Sequence, residues 1–265
     1  MLRAIGRYGT LTSDHVAALL FAGVSPRVAR ERLRRLWLHH YLTRTFLRHA
    51  VTDGDAAVRP RPIYGLGKEG ARVVGAAPAA VSATTAVHDL IAIDLLIACE
   101  VAARGSNAAI TATTERELAA MVKAARPATR PFVLPDGALT LSGEDGPMSF
   151  ALEIVRADFA SGTRRFIAKL GRYLLANRRR ELETVFGFQR TRAVLIATPT
   201  QTRADNLRRA ASRLGRGRAM LWFGVIPPAR TRALPAQTFT AVDAIRATWM
   251  DAAGGGPHAI VTPTT

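Results

Sequence analysis

Residues 130–177 read RPFVLPDGALTLSGEDGPMSFALEIVRADFASGTRRFIAKLGRYLLAN, and this stretch decides the fold of the larger part of the chain. "GALTL" and "SFALEIV" are apolar segments joined by the turn-forming "SGEDGP", the pattern of an antiparallel strand pair. From Gly162 onward the spacing changes to that of a helix. The same stretch carries chemistry. Asp136 follows Pro135 at the mouth of the first strand, Glu153 lies near the end of the second, and Lys169 and Tyr173 sit one helical turn apart. Neighbouring strand ends can bring two carboxylates close enough to share a divalent cation, and Mg²⁺ takes such hard oxygen ligands while keeping water in the rest of its shell. The metal would activate a water, and a nearby lysine would neutralise charge on the phosphate. Asp136 and Glu153 are therefore candidate Mg²⁺ ligands, and Asp136, Glu153, Lys169 and Tyr173 the candidate catalytic set of a phosphodiesterase.

Each of these residues also has a plainer reading. "PDG" is a common turn tripeptide, which makes Asp136 a turn residue. Glu153 interrupts an apolar run, where a buried and unpaired carboxylate is costly; a surface-facing Glu on a half-buried strand is the alternative. Lys169 is one of only three lysines, with Lys68 and Lys123, against an arginine background, which suits a site that needs a compact ammonium. Tyr173 fits helix packing equally well. Glu115 or Glu117 could supply a third ligand, but an exposed helix start explains either.

Downstream, "RAVLIAT" reads as a buried strand, "QTRADNLRRAASRLG" as an amphipathic helix, and "RAMLWFGVI" as another strand. Upstream, "VHDLIAIDLLIACEVAARG" is an apolar helix, "AAIT" a short strand and "TERELAAMVKAA" a short helix. A helix, a strand pair, then alternating helices and strands predict a small mixed sheet flanked by helices, an α/β (α+β) architecture.

The first quarter of the chain has another character. Short helices are expected over Leu2 to Tyr8 and after Thr12, and Ser25 followed by Pro26 marks a strong start for a third helix. On that helix Ala29, Leu33 and Leu36 form a core stripe, and Arg27, Arg30 and Arg34 fall opposite. "YLTRTFLR" and "IYGL" then read as a strand pair around the loop "DGDAAVRPRP". Three helices and a hairpin are the order of a winged helix-turn-helix. Its third helix would set Arg27, Arg30, Arg34 and Arg35 against duplex DNA, with Arg44 from the following strand. The alternative is a solvated basic face on a protein-contact domain. His39 and His40 close the third helix and read as caps.

Charge supports a polyanion partner. The chain carries a formal net charge of +17, unevenly spread. Residues 1–75 hold 13 Lys+Arg against 5 Asp+Glu, residues 76–150 hold 5 against 8, and residues 151–265 hold 19 against 7. A genome that favours arginine explains Arg over Lys but not the shortage of acids, and neutralising phosphates releases counterions. One cysteine, Cys99, excludes an intrachain disulfide, and a reducing, cytoplasmic location is expected. Cys/His pairs at zinc spacing and a Walker loop are both absent from the sequence. "LIAIDLLIACEVAA" is too short to span a bilayer and carries Asp94 and Glu100.

The motif "IYGLGKEGARVV" resembles the aromatic-x-Leu-Thr-x-x-Gly ending of many bacterial winged-helix regulators, with Gly67 in place of Thr. Pro135–Asp136 and Glu153 resemble the Pro-Asp…(Asp/Glu)-x-Lys motif of restriction-endonuclease-like proteins, with Val155 where the lysine would stand. Some branches draw that lysine from the next helix, where Lys169 lies. "KLGRY" is similar to the Gln-x-x-x-Tyr motif of RecB-like nucleases, and His88 weakly matches the histidine of their first helix. Taken together, "PDG…LEI" and "K-L-x-x-Y" behind a winged helix resemble the replication-relaxation family. That resemblance implies a DNA-binding protein of a plasmid or other mobile element, acting in replication, mobilisation or relaxation, with Mg²⁺-dependent cleavage as its enzymatic form. The alternative is a non-catalytic, antitoxin-like regulator whose nuclease-like domain grips DNA or mediates homodimerisation. The expected layout is a winged helix at 1–75, a linker at 76–87, a restriction-endonuclease-like domain at 88–250 and a disordered tail at 251–265.

Overall fold

The computed structural model describes residues 1–47, 61–78, 83–104, 109–126, 132–143, 146–155, 162–225, 249–251 and 257–258. The expected loop at 53–62 lies almost wholly outside them. Two compact units divide the described chain, the first spanning Met1–Ile97 and the second beginning at Ala98.

In the first unit, α1 (Leu2–Tyr8) leads into a short strand β1 (Thr10–Thr12), then α2 (Ser13–Leu20) and α3 (Pro26–Leu38). The strands β2 (Leu42–Leu47) and β3 (Arg61–Leu66) and the helix α4 (Lys68–Val74) follow. The three strands form one antiparallel sheet in the order β1-β3-β2. Ser25 Oγ accepts the Arg27 N–H at 3.3 Å and Pro26 opens α3, as the sequence signals require. Ala29 and Leu33 are fully buried together with Ile5, Leu11, Val16, Ile63 and Leu66. Leu36, expected on the same stripe, is only half-buried.

Thr12 opens α2 with a reciprocal cap. Its hydroxyl accepts the His15 N–H, and His15 Nδ1 accepts the Thr12 N–H, both at 3.2 Å. That fixes the tautomer, so His15 Nε2–H donates to Asp94 Oδ1. Asp94 lies on α5 (Ala83–Ala103), and its place in an apolar helix is thereby explained. The helix begins inside the stretch expected to be a linker, and its residues as far as Ile97 group with the first unit instead of the second. Burial of His15 at the start of α2 draws α5 onto the winged-helix core, an association that no local pattern encodes. With 21 residues, α5 still carries Asp89, Asp94 and Glu100, and among the described residues no helix is long and apolar enough to cross a membrane.

The second unit is a seven-stranded sheet in the order β10-β9-β8-β7-β6-β5-β4. It comprises β4 (Ala109–Thr114), α6 (Glu115–Ala125), β5 (Gly137–Gly143), β6 (Gly146–Ile154), α7 (Thr163–Arg178) and α8 (Glu181–Phe186). It continues through β7 (Thr191–Thr198), α9 (Gln201–Ala211), a 3-10 turn at Arg218–Met220, β8 (Leu221–Val225), β9 (Trp249–Asp251) and β10 (Pro257–His258). β6, β7 and β8 are parallel, and the outer pairings are antiparallel. The parallel strands have helices over them, which is why "SFALEI" and "AVLIAT" are buried along their whole length. The tail expected to be disordered contributes Asp251 to β9 and Pro257–His258 to β10. These short edge strands depend on pairing, β9 with β8 and β10 with β9.

Candidate functional site

Two places gather the residues singled out by sequence. The first is the outer face of α3, where Arg27, Arg30, Arg34 and Arg35 are all exposed. Glu31 sits among them and pairs with Arg35 at 3.2 Å and Arg34 at 3.9 Å, holding two guanidinium groups along the helix. Among the described residues neither Arg27 nor Arg30 forms an ion pair. These two lie in the first turns of the helix, the part that a helix-turn-helix presents to base edges. Arg44 departs from the group. Its guanidinium lies 3.5 Å from the centre of the Trp37 ring and 5.1 Å from that of Phe46, and it hydrogen-bonds Tyr64. It ties the hairpin to α3 and is half-buried.

The second place is built on β5, β6 and α7. Ala151, Glu153 and Val155 alternate onto one face of β6, and that face meets α7. Ala151 and Val155 enter the apolar core, so the position where a lysine would follow the acid is closed by Val155 packing. Glu153 is only 2% exposed, and α7 satisfies it. Lys169 Nζ donates to its Oε2 at 2.7 Å, and Tyr173 Oη donates to its Oε1 at 2.5 Å. Lys169 and Tyr173 are four residues apart, one turn of α7, which presents both donors to the same carboxylate. Tyr173 is fully buried; the Lys169 side chain is 25% exposed and reaches the acid from the rim.

Asp136 stands just before β5 and extends the β5–β6 ladder. Its N–H donates to the Leu152 carbonyl at 2.9 Å, and its Oδ2 accepts the Ile154 N–H at 2.7 Å. This backbone cap is what the turn reading of "PDG" did not foresee. Burial, and next the charge of Asp136, push the Glu153 carboxyl up to about 7, while Lys169 and Tyr173 pull the other way. Burial, then the Glu153 charge, hold the Tyr173 phenol well above its ordinary range.

The described residues bring two carboxylates to this place, Asp136 and Glu153, as donors for a divalent cation. Both oxygens of Glu153 already accept hydrogen bonds, and one oxygen of Asp136 is held by backbone. Among the described residues no group of three or more His, Cys, Asp or Glu side chains gathers where it could hold a metal ion. Glu117 is occupied as a cap, accepting from the Thr114 N–H at 2.8 Å and its hydroxyl at 2.9 Å. His39 ends α3, and His40 follows with φ 60 in the left-handed region. His88 lies on α5 within the first unit. Cys99 is buried and its thiol is pushed up to about 12, chiefly by burial, which leaves it unreactive.

A family model described as replication-relaxation matches residues 2–184, a span that takes in both the α3 face and all four residues of the β6–α7 cluster. No curated protein and no solved structure matches the chain.

Proposed function

This chain belongs to the replication-relaxation family, and from that premise we propose that it is a cytoplasmic, duplex-DNA-binding protein of a plasmid or other mobile element, acting in replication, mobilisation or relaxation of DNA. The observation that carries the proposal is the exposed arginine face of α3, with Arg27 and Arg30 outside every ion pair of that helix. Guanidinium groups at the start of a recognition helix bind guanine edges and phosphates in the major groove. The test is a mobility-shift titration across salt concentrations. Affinity is expected to fall steeply with salt, with a slope of about 0.9 per phosphate contact. Arg27→Ala with Arg30→Ala is expected to weaken binding at least about tenfold, since each good base contact contributes about 1–3 kcal/mol. A flat salt response would overturn the reading.

A second reading, phosphodiester cleavage, is favoured by one observation. Lys169 sits on Glu153 with Asp136 beside them, so an acid, an acid and a lysine are gathered despite Val155. Among the described residues no third His, Cys, Asp or Glu joins the two acids, and we derive no step through a metal. Supercoiled plasmid incubated with the protein and Mg²⁺ is expected to stay supercoiled. Nicked circles that disappear in Asp136→Ala, Glu153→Ala and Lys169→Ala alike would establish cleavage instead.

A further inference from the structure

In the second unit α7 and α9 pack against each other, and arginines gather in sequence around that contact. A Cβ at Gly171 would lie 4.0 Å from Leu214 Cδ2, and one at Gly217 would lie 3.6 Å from Leu174 Cδ2. The turn that follows α9 therefore rests on the middle of α7. Gly217, at φ 95, lets the chain reverse there, and the 3-10 turn follows at once. Arg178 lies one turn beyond Leu174 on the same side of α7. Arg178 is thus on the side of α7 that receives the turn carrying Arg213, Arg216 and Arg218, and all four are exposed.

Among the described residues none of these four forms an ion pair. Residues 159–180 and 206–225 contain no Asp or Glu; of the acids that flank them, Glu181 is buried, Glu183 pairs with Arg180 and Asp205 with Arg208. This differs from α3, where Glu31 moderates two of the arginines. A cationic residue at a helix C-terminus complements the macrodipole, which accounts for Arg178 alone. It does not account for three more arginines in a turn held against it. Such a cluster raises the local potential and is offset by a polyanion.

The spacing of small residues indicates which polyanion. Gly215, Gly217 and Ala219 separate the arginines, so a phosphate chain can approach the backbone closely. Among the described residues the aromatics closest in sequence, Tyr173 on α7 and Trp222 and Phe223 on β8, are buried, so they offer no platform for stacking unpaired bases. We propose that Arg178, Arg213, Arg216 and Arg218 form a second DNA-contact surface, which grips the phosphate backbone of a duplex without reading its bases. The inference rests on the reading of the protein as a duplex-DNA binder and adds a site to it.

The full chain carrying Arg213→Gln, Arg216→Gln and Arg218→Gln tests the site by fluorescence anisotropy over a salt series. The plot of log Kd against log salt is expected to become shallower by about 2–3, at about 0.9 per lost phosphate contact. The ratio of affinities for a preferred and a scrambled duplex should stay as in the unmodified chain. The corresponding three Arg→Lys changes keep the charge and should keep the slope, which separates lost contacts from lost folding. An unchanged slope in the Gln variant overturns the site. So do equal losses in the Gln and Lys variants, or losses confined to single-stranded DNA. If the unmodified chain fails to bind duplex at all, the functional reading falls, and the second surface with it.

Discussion

Gly70→Ala is expected to destabilise the first unit by about 4 kcal/mol, enough to remove most of the stability of a small domain and its DNA binding with it. A Cβ at Gly70 would fall 2.1 Å from the Tyr41 carbonyl oxygen and 3.0 Å from the carbonyl carbon. These are backbone atoms at the entry to β2, so no rotamer change relieves the overlap. Withdrawing α4 instead would break the 2.9 Å hydrogen bond from the Gly67 N–H to the same carbonyl and expose Ala71. Gly67 is bound by the same geometry, its Cβ falling 2.3 Å from the His40 oxygen. The motif "LGKEG" is thus a place where α4 lies flat on the start of the hairpin. Thermal melts of the full chain would detect the loss. Gly171→Ala, in the interior of α7 with its nearest neighbour at 4.0 Å, serves as the reference and is expected to be neutral or to stabilise by up to about 1 kcal/mol. A Gly70→Ala protein that melts like the unmodified chain would refute the close-approach argument.

Local signals were legible where one segment carried its own instruction. Ser25 and Pro26 start α3, the helix expected at "TERELAAMVKAA" is α6, and the apolar runs of β6 and β7 mark strands; the capping box at Thr114 and Glu117 and the parallel pairing of β6 with β7 appear only in the structure. That Lys169 and Tyr173 share one face of α7 was readable from their four-residue spacing; that both donate to Glu153 was not, because it depends on how β6 and α7 pack. What escaped the sequence depends on distant partners. β1 has three residues and exists because β3 pairs with it. Asp251 of β9 and all of β10 lie in a segment that reads as tail until β8 and β9 offer their edges. α8 is a single short helix between stronger elements. Asp94 reads as a stray charge on an apolar helix until His15, 79 positions away, is placed against it. Arg44 reads as one more basic residue until Trp37 and Phe46 are brought under it.

Lys169→Met is expected to cost up to about 1.4 kcal/mol more at pH 8 than at pH 5, because above about pH 7 it leaves the buried Glu153 carboxylate without its cation. The sign follows from the carboxyl itself. Burial raises it from an ordinary 4.5 to about 7 in the folded chain, so the folded state holds that proton more tightly than the unfolded one. Its favourable contribution is fully present below about 4.5 and is lost as pH rises through about 7. At about 1.4 kcal/mol per pH unit, the loss is about 3 kcal/mol. Lys169 opposes that rise, so its removal moves the carboxyl higher and enlarges the loss at pH 8. At pH 5 the group is protonated with or without the lysine, and only packing and one hydrogen bond separate the two proteins. Glu153→Gln should flatten the dependence on pH, since the amide does not titrate. Tyr173→Phe, which removes the other donor to Glu153, is expected to cost about 1–3 kcal/mol. Urea unfolding at the two pH values measures all three. Equal costs for Lys169→Met at pH 5 and pH 8 would mean that Glu153 is not the group that responds, and that Lys169 is held at the rim for another reason. A cost confined to high pH would assign Lys169 to holding the fold together, a role it can fill whether or not any phosphodiester bond is ever cut beside it.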